Sequence, residues 1–221
     1  MISKTFLIVI PLLVAILARI TPSKYCIKPF NTLTHELAHA IVALVLGSKV
    51  KEININPDFS GSCVNIRTNF FKQFLISIAG YTTPSLLGYL LIKFMNDTAD
   101  VNLFYCIIII NLIALIFYIR NTFGVIWTLL FTLLNFCFAY FSMFQAYYAY
   151  ISYTYACILL METFLDTIVL LKLNLESAKK AGDAYNLQKS THIPALVYSL
   201  LFFAFSCFMI YKVCQVIIAT F

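Results

Sequence analysis

The chain has 221 residues, of which 62% are hydrophobic and only 11% charged, with 21 Phe and 14 Tyr. A soluble domain carries roughly 25% charged residues, so the composition excludes an ordinary soluble fold and points to a membrane protein. The net charge of +6 comes from basic residues scattered through short connecting segments and gathered on no single face, which argues against a nucleic-acid partner.

Apolar runs, each near the roughly 17–25 residues that cross about 30 Å of hydrocarbon, are predicted at 5–20, 30–47, 72–95, 102–119, 125–145, 147–171 and 194–218. They fill most of residues 1–221, which implies one membrane-embedded domain, all-α and polytopic, with about six to seven transmembrane helices. The first run, FLIVIPLLVAILARI, follows Lys4. Its Ala15 and Ala18 make a poor cleavage site, so it reads as a retained helix and not as a signal peptide.

Two connecting segments, Ser48–Phe71 and a cytoplasmic-side loop at about 172–193, are polar enough to lie at or near the surface. In the first, VKEININ and CVNIR alternate in polarity around a PDFSG turn, which predicts a β-hairpin at about 49–67. Lys49, Lys51, Arg67 and Lys72 share one loop, Arg120 lies in another, and Lys172, Lys179, Lys180 and Lys189 in a third. Counting spans puts all three on one side with the N-terminus, and the positive-inside rule makes that side cytoplasmic. Asp97 and Asp100 fall opposite. RNTFG, Arg120–Gly124, reads first as a turn in which Asn121 caps the next helix, with binding of backbone or substrate by Asn121 as the alternative. The run YFSMFQAYYAYISYTY reads as an extracytoplasmic interfacial belt. Seven cysteines form no C-x-x-C pair, and Cys106, Cys137, Cys157 and Cys207 lie within apolar runs. Neither a disulfide framework nor a zinc ribbon fits that spacing.

Against this background NTLTHELAHAIVALVLG, Asn31–Gly47, is anomalous, because two histidines and a glutamate head an apolar helix. His35 to His39 spell H-E-x-x-H. Residues four apart on a helix share one face, so the two imidazoles converge and supply half of a tetrahedral zinc site. Glu36 stands beside that point, placed to take a proton from a water the ion activates and to pass it to a leaving nitrogen. The competing reading is that the three residues merely head a helix starting near Thr34, with Thr32 or Thr34 as its cap. Ionisable groups inside a bilayer are expensive and persist where function compensates, which favours the metal. No third histidine stands at metzincin spacing. His192 lies far off in a loop before Pro194, so the third ligand falls to a carboxylate or to water.

These residues resemble the site-2 protease family of intramembrane zinc metalloproteases, and within it the small bacterial-type branch. HELAHAIVALVLGSKV is similar to its zinc helix followed by a glycine and a short strand, and VKEININPDFSGSCVNIR to its hairpin. AGYTTPSLLG, Ala79–Gly88, resembles the small-residue helix that packs beside the zinc helix, with Gly80, Pro84 and Gly88 permitting close approach. GDAYNLQKSTHIPALVY resembles the branch's late Asp-Ala motif before the last helix. Ala38 replaces the common glycine, and the Leu-Asp-Gly motif of better-known members is absent.

The resemblance implies a zinc metalloendopeptidase of the cell membrane that hydrolyses peptide bonds within or near transmembrane segments of membrane proteins. Zinc would be held by His35 and His39, with Glu36 catalytic, and the hairpin would offer an edge strand to an unwound substrate. Asp183 matches the Asp-Ala motif and is the first choice for third ligand. Asp166, in METFLDTIVLL, is the alternative, because its depth in its helix matches that of His39 within a few ångströms at about 1.5 Å per residue. Glu162 is a more remote third. Asn54, Asn56, Asn65 and Asn69 are candidates to border a polar path from the cytoplasm. Two other classes stay open at this stage: a zinc-binding scaffold without proteolysis, and a small-solute transporter with a buried His/Glu relay.

Overall fold

The protein is described here from a computed structural model covering residues 4–20, 24–65, 69–94 and 101–219. In chain order it comprises α1 (Lys4–Ile20), α2 (Lys24–Val45), β1 (Val50–Ile55), β2 (Gly61–Asn65), α3 (Phe70–Phe94), α4 (Asn102–Phe117), α5 (Thr122–Tyr140), α6 (Tyr148–Glu176), α7 (Gly182–Thr191) and α8 (Ala195–Ala219). Short 3-10 turns fill Ser142–Tyr147 and Ala178–Lys180. Each of the seven expected apolar runs falls on a helix. Among the described residues, three helices (α3, α5 and α8) are both long and apolar enough to cross a membrane.

The bundle is organised around α3 and α6. α3 packs against α2, α6, α7 and α8, and α6 against α1, α3 and α8. Gly88 lets α3 approach α6 at backbone distance, since a Cβ there would stand 2.9 Å from the Ala156 carbonyl oxygen. α1 is tied to α6 by an ion pair between Arg19 and Glu162, whose side chain is 1% exposed.

The expected hairpin is present as β1 and β2. Gly47 ends α2 in the left-handed conformation (φ 70°), and the Ser48 N–H reaches back 2.8 Å to the Ala43 carbonyl, a helix stop that glycine permits without strain. The chain then reverses and lies back along α2 at the surface, with Lys51, Asp58, Ser60 and Ser62 exposed and one face turned inward. Ile53 and Ile55 are 0% exposed. At the tip, the Phe59 ring centroid lies 5.1 Å from that of Tyr25, and the Phe59 carbonyl accepts a 2.8 Å hydrogen bond from the Thr32 hydroxyl. Burial of the isoleucine face accounts for this placement. The strands pair antiparallel, with Ile55 opposite Gly61 and Ile53 opposite Cys63. A third segment adds to β1: the Ile53 N–H donates to the Tyr118 carbonyl at 2.9 Å, and the Arg120 N–H to the Ile53 carbonyl at 3.3 Å.

Three boundaries differ from expectation. α2 begins at Lys24, ahead of the expected start near residue 30. The fifth run stops at Tyr140. The expected loop at 172–193 is largely helical, because α6 continues to Glu176 and α7 follows. Ala181, Ala184 and Leu187, three residues apart along a polar stretch, form a narrow apolar stripe and are each 0% exposed against Leu170, Tyr198 and Phe202. Arg67, Asp97 and Asp100 lie outside the described residues.

Candidate metal centre

One turn of α2 carries His35, Glu36 and His39, and Glu36 and His39 are buried. His39 Nδ1 lies 2.6 Å from the Ile76 carbonyl oxygen on α3. That oxygen only accepts, so Nδ1 carries the proton and Nε2 is the bare nitrogen. His39 Nε2 stands 3.0 Å from His35 Nε2. The backbone of α3 is pressed against both rings: a Cβ on Gly80 would lie 2.5 Å from His39 Nε2 and from His35 Cε1. Tyr81 meets the His35 ring edge-on at 4.7 Å and stacks on Phe202.

α7 closes the site from the opposite side. Gly182 adopts φ 41°, a left-handed turn natural to glycine, and swings the first turn of α7 back toward α2. Asp183 Oδ2 thereby comes to 3.1 Å from His35 Nε2 and 3.1 Å from His39 Nε2. Three electron-pair donors 3.0–3.1 Å apart repel one another unless a proton or cation lies among them. Two nitrogens and a carboxylate oxygen around a tetrahedral zinc, with bonds of about 2.0–2.2 Å, stand about 3.3 Å apart. The donor set therefore fits zinc in both chemistry and spacing. Among the described residues this is the group of His, Cys, Asp and Glu side chains gathered closely enough to hold a metal.

The other candidates stand outside this cluster. Asp166 accepts a 2.9 Å hydrogen bond from Asn31 Nδ2, and Asn31 Oδ1 accepts one of 3.0 Å from Thr163. Glu162 is paired with Arg19. His192 is exposed at the C-terminal end of α7, with φ 64°. The capping alternative fails because α2 begins at Lys24: the Thr34 hydroxyl bonds back to the Phe30 carbonyl at 2.8 Å, and Thr32 holds the hairpin tip.

The centre opens into a cavity of about 490 Å³, whose wall includes Ser60–Cys63 of the hairpin, Gln73, Ser77 and Asp166. Gly61 is required there by space, since a Cβ would stand 2.7 Å from Thr32 Cγ2 and closer still to Glu36 Oε1. Burial, and then the charges of Glu36 and Asp183, push the Cys63 thiol up to about 12, so the wall presents it as a neutral group. Asn54, Asn56 and Asn69 do not line this cavity. Asn54 and Asn56 bond to Glu52 and Ser60, and Asn69 accepts from the Lys72 N–H. The Asn65 side chain lies outside the described residues.

Asn121 follows the less favoured of its two expected readings, binding backbone and not capping a helix. It occupies the residue before α5 but makes no side-chain capping bond. Its Oδ1 instead accepts the Ile55 N–H at 3.0 Å, and its Nδ2 donates to the Ile55 carbonyl. A polar residue between two apolar runs flags a turn, but nothing local announces a partner 66 residues away.

A family model described as Peptidase M50B-like matches residues 7–213. No curated protein and no solved structure matches the chain.

Proposed function

The chain belongs to the Peptidase M50B-like family, the site-2 protease family, and on that footing we propose that it is a zinc metalloendopeptidase that cleaves within or near transmembrane segments of other membrane proteins. The observation that carries this is the convergence of His35 Nε2, His39 Nε2 and Asp183 Oδ2 at 3.0–3.1 Å beside Glu36. In this reading the two imidazoles and Asp183 hold the ion, the Ile76 carbonyl fixes the His39 tautomer, and Asp166 is not a ligand.

When bound, zinc supplies Lewis acidity that lowers the pKa of water toward about 7 and polarises the scissile carbonyl. Glu36 accepts the proton of the attacking water and delivers it to the departing amine nitrogen. β1 already carries the Tyr118–Arg120 segment on its outer side, so β2, which lines the cavity, is the strand along which an extended substrate would lie. Strand pairing replaces the backbone hydrogen bonds that a transmembrane helix loses on unwinding.

We place the chain as a multi-pass protein of the cell membrane with six or seven spans, its N-terminus and hairpin-bearing side facing the cytoplasm. The test is chelation and reconstitution: purified protein mixed with a single-span membrane protein as probe should cleave it, lose cleavage with 1,10-phenanthroline, and regain it with added zinc. Zinc bound without any cleavage would favour a scaffold instead.

A further inference from the structure

We propose that Asn121 is a positioning residue for the hydrolytic site, acting as a side-chain rung that locks the hairpin over the cavity. The inference rests on reading that cavity as the site of peptide hydrolysis, and three independent features of the fold support it. The primary amide of Asn121 engages both backbone groups of Ile55, donating to its carbonyl and accepting from its N–H, as a neighbouring strand residue would. It continues the backbone pairing of Ile53 with Tyr118 and Arg120, so the rung extends a short parallel ladder by one step. Space is reserved for it by Gly124, where a Cβ would stand 2.5 Å from Asn121 Oδ1.

The consequence for the site follows from register. Ile55 is paired across the hairpin with Gly61, and Gly61 packs against Thr32 and Glu36. The chain of contacts thus runs from the α4–α5 turn through Ile55 and Gly61 to the carboxylate that handles the proton. Releasing the Ile55 rung frees the hairpin tip to shift relative to Glu36, while the three proposed zinc-binding side chains, on α2 and α7, keep their places. A misplacement of about 1 Å costs roughly 100-fold in rate.

The experiment separates this role from a helix cap, the ordinary use of an asparagine before a helix. Asn121→Ser retains a good cap but cannot span both Ile55 groups, Asn121→Asp keeps an acceptor for the Ile55 N–H only, and Gly124→Ala crowds the native amide. Hydrogen–deuterium exchange of residues 50–65, zinc content and cleavage of the single-span probe are measured on full-length protein. Expected are faster exchange across β1, unchanged zinc, and cleavage reduced about 10- to 100-fold in Asn121→Ser and Gly124→Ala, with Asn121→Asp between them and wild type. Wild-type exchange and cleavage in Asn121→Ser would overturn the proposal. Should wild type itself fail to cleave, the hydrolytic reading falls, while the exchange arm still decides whether Asn121 holds the hairpin.

Discussion

Gly80 and His39 are in such close apposition that a single added methyl group would stand 2.5 Å from the histidine Nε2. The α2–α3 contact is therefore set by the absence of a side chain at one position, and an added methyl group would press on both imidazoles. Gly80→Ala should displace both rings from Asp183 and weaken zinc affinity about 10- to 100-fold, the range seen when groups supporting metal ligands are altered. Competition with a calibrated zinc chelator measures this.

The two candidate aspartates should behave differently. Asp183→Asn leaves two nitrogen ligands and a poor oxygen donor, and bound zinc should fall well below one per chain after dialysis. Asp166→Asn removes a hydrogen-bond partner of Asn31 and should leave zinc near one per chain. Metal content by mass spectrometry distinguishes them, and the reverse pattern would reassign the third ligand.

Gly61→Ala introduces a methyl group against Thr32 and Glu36 without touching the histidines or Asp183. Zinc content should be unchanged and the cleavage rate should drop about 10- to 100-fold. Loss of zinc in this variant would mean that the hairpin supports the metal and not the carboxylate.

The Arg19–Glu162 pair joins α1 to α6 at a nearly inaccessible carboxylate. Arg19→Ala leaves that charge uncompensated, and breaking a buried pair from one side costs about 3–5 kcal/mol. A lower midpoint of thermal unfolding in detergent is expected, with a milder loss in Glu162→Gln because the charge then left unpaired is the partly exposed Arg19 guanidinium.

Much of this arrangement was legible in the sequence, and the exceptions have a common cause. His35 and His39 are four residues apart on one helix, so their convergence follows from local geometry. The hairpin was visible in alternation around its turn, and the apolar runs in composition. What was not legible depends on contacts between distant segments. Asp166 matched His39 in depth, but depth is one coordinate, and its side chain meets Asn31 instead. Asp183 lay in a stretch read as loop, because its stripe of Ala181, Ala184 and Leu187 is too narrow to stand out among Lys, Asn and Gln. Asn121 looked like a cap because its bond to Ile55 crosses 66 residues. The hairpin's exposed lysines announced its place at the surface, whereas the burial of Ile53 and Ile55 on its inner face depends on distant α2 and the Tyr118–Arg120 segment.

The most direct test of the hydrolytic centre is a comparison of wild type with Glu36→Gln, both zinc-loaded and reconstituted with the single-span probe. Glutamine keeps the shape of the side chain and cannot accept the proton. The expected result is one zinc per chain in both proteins, with cleavage in wild type and none detectable in Glu36→Gln. Equal cleavage by the two proteins would contradict the assignment of Glu36 and with it the proposed mechanism.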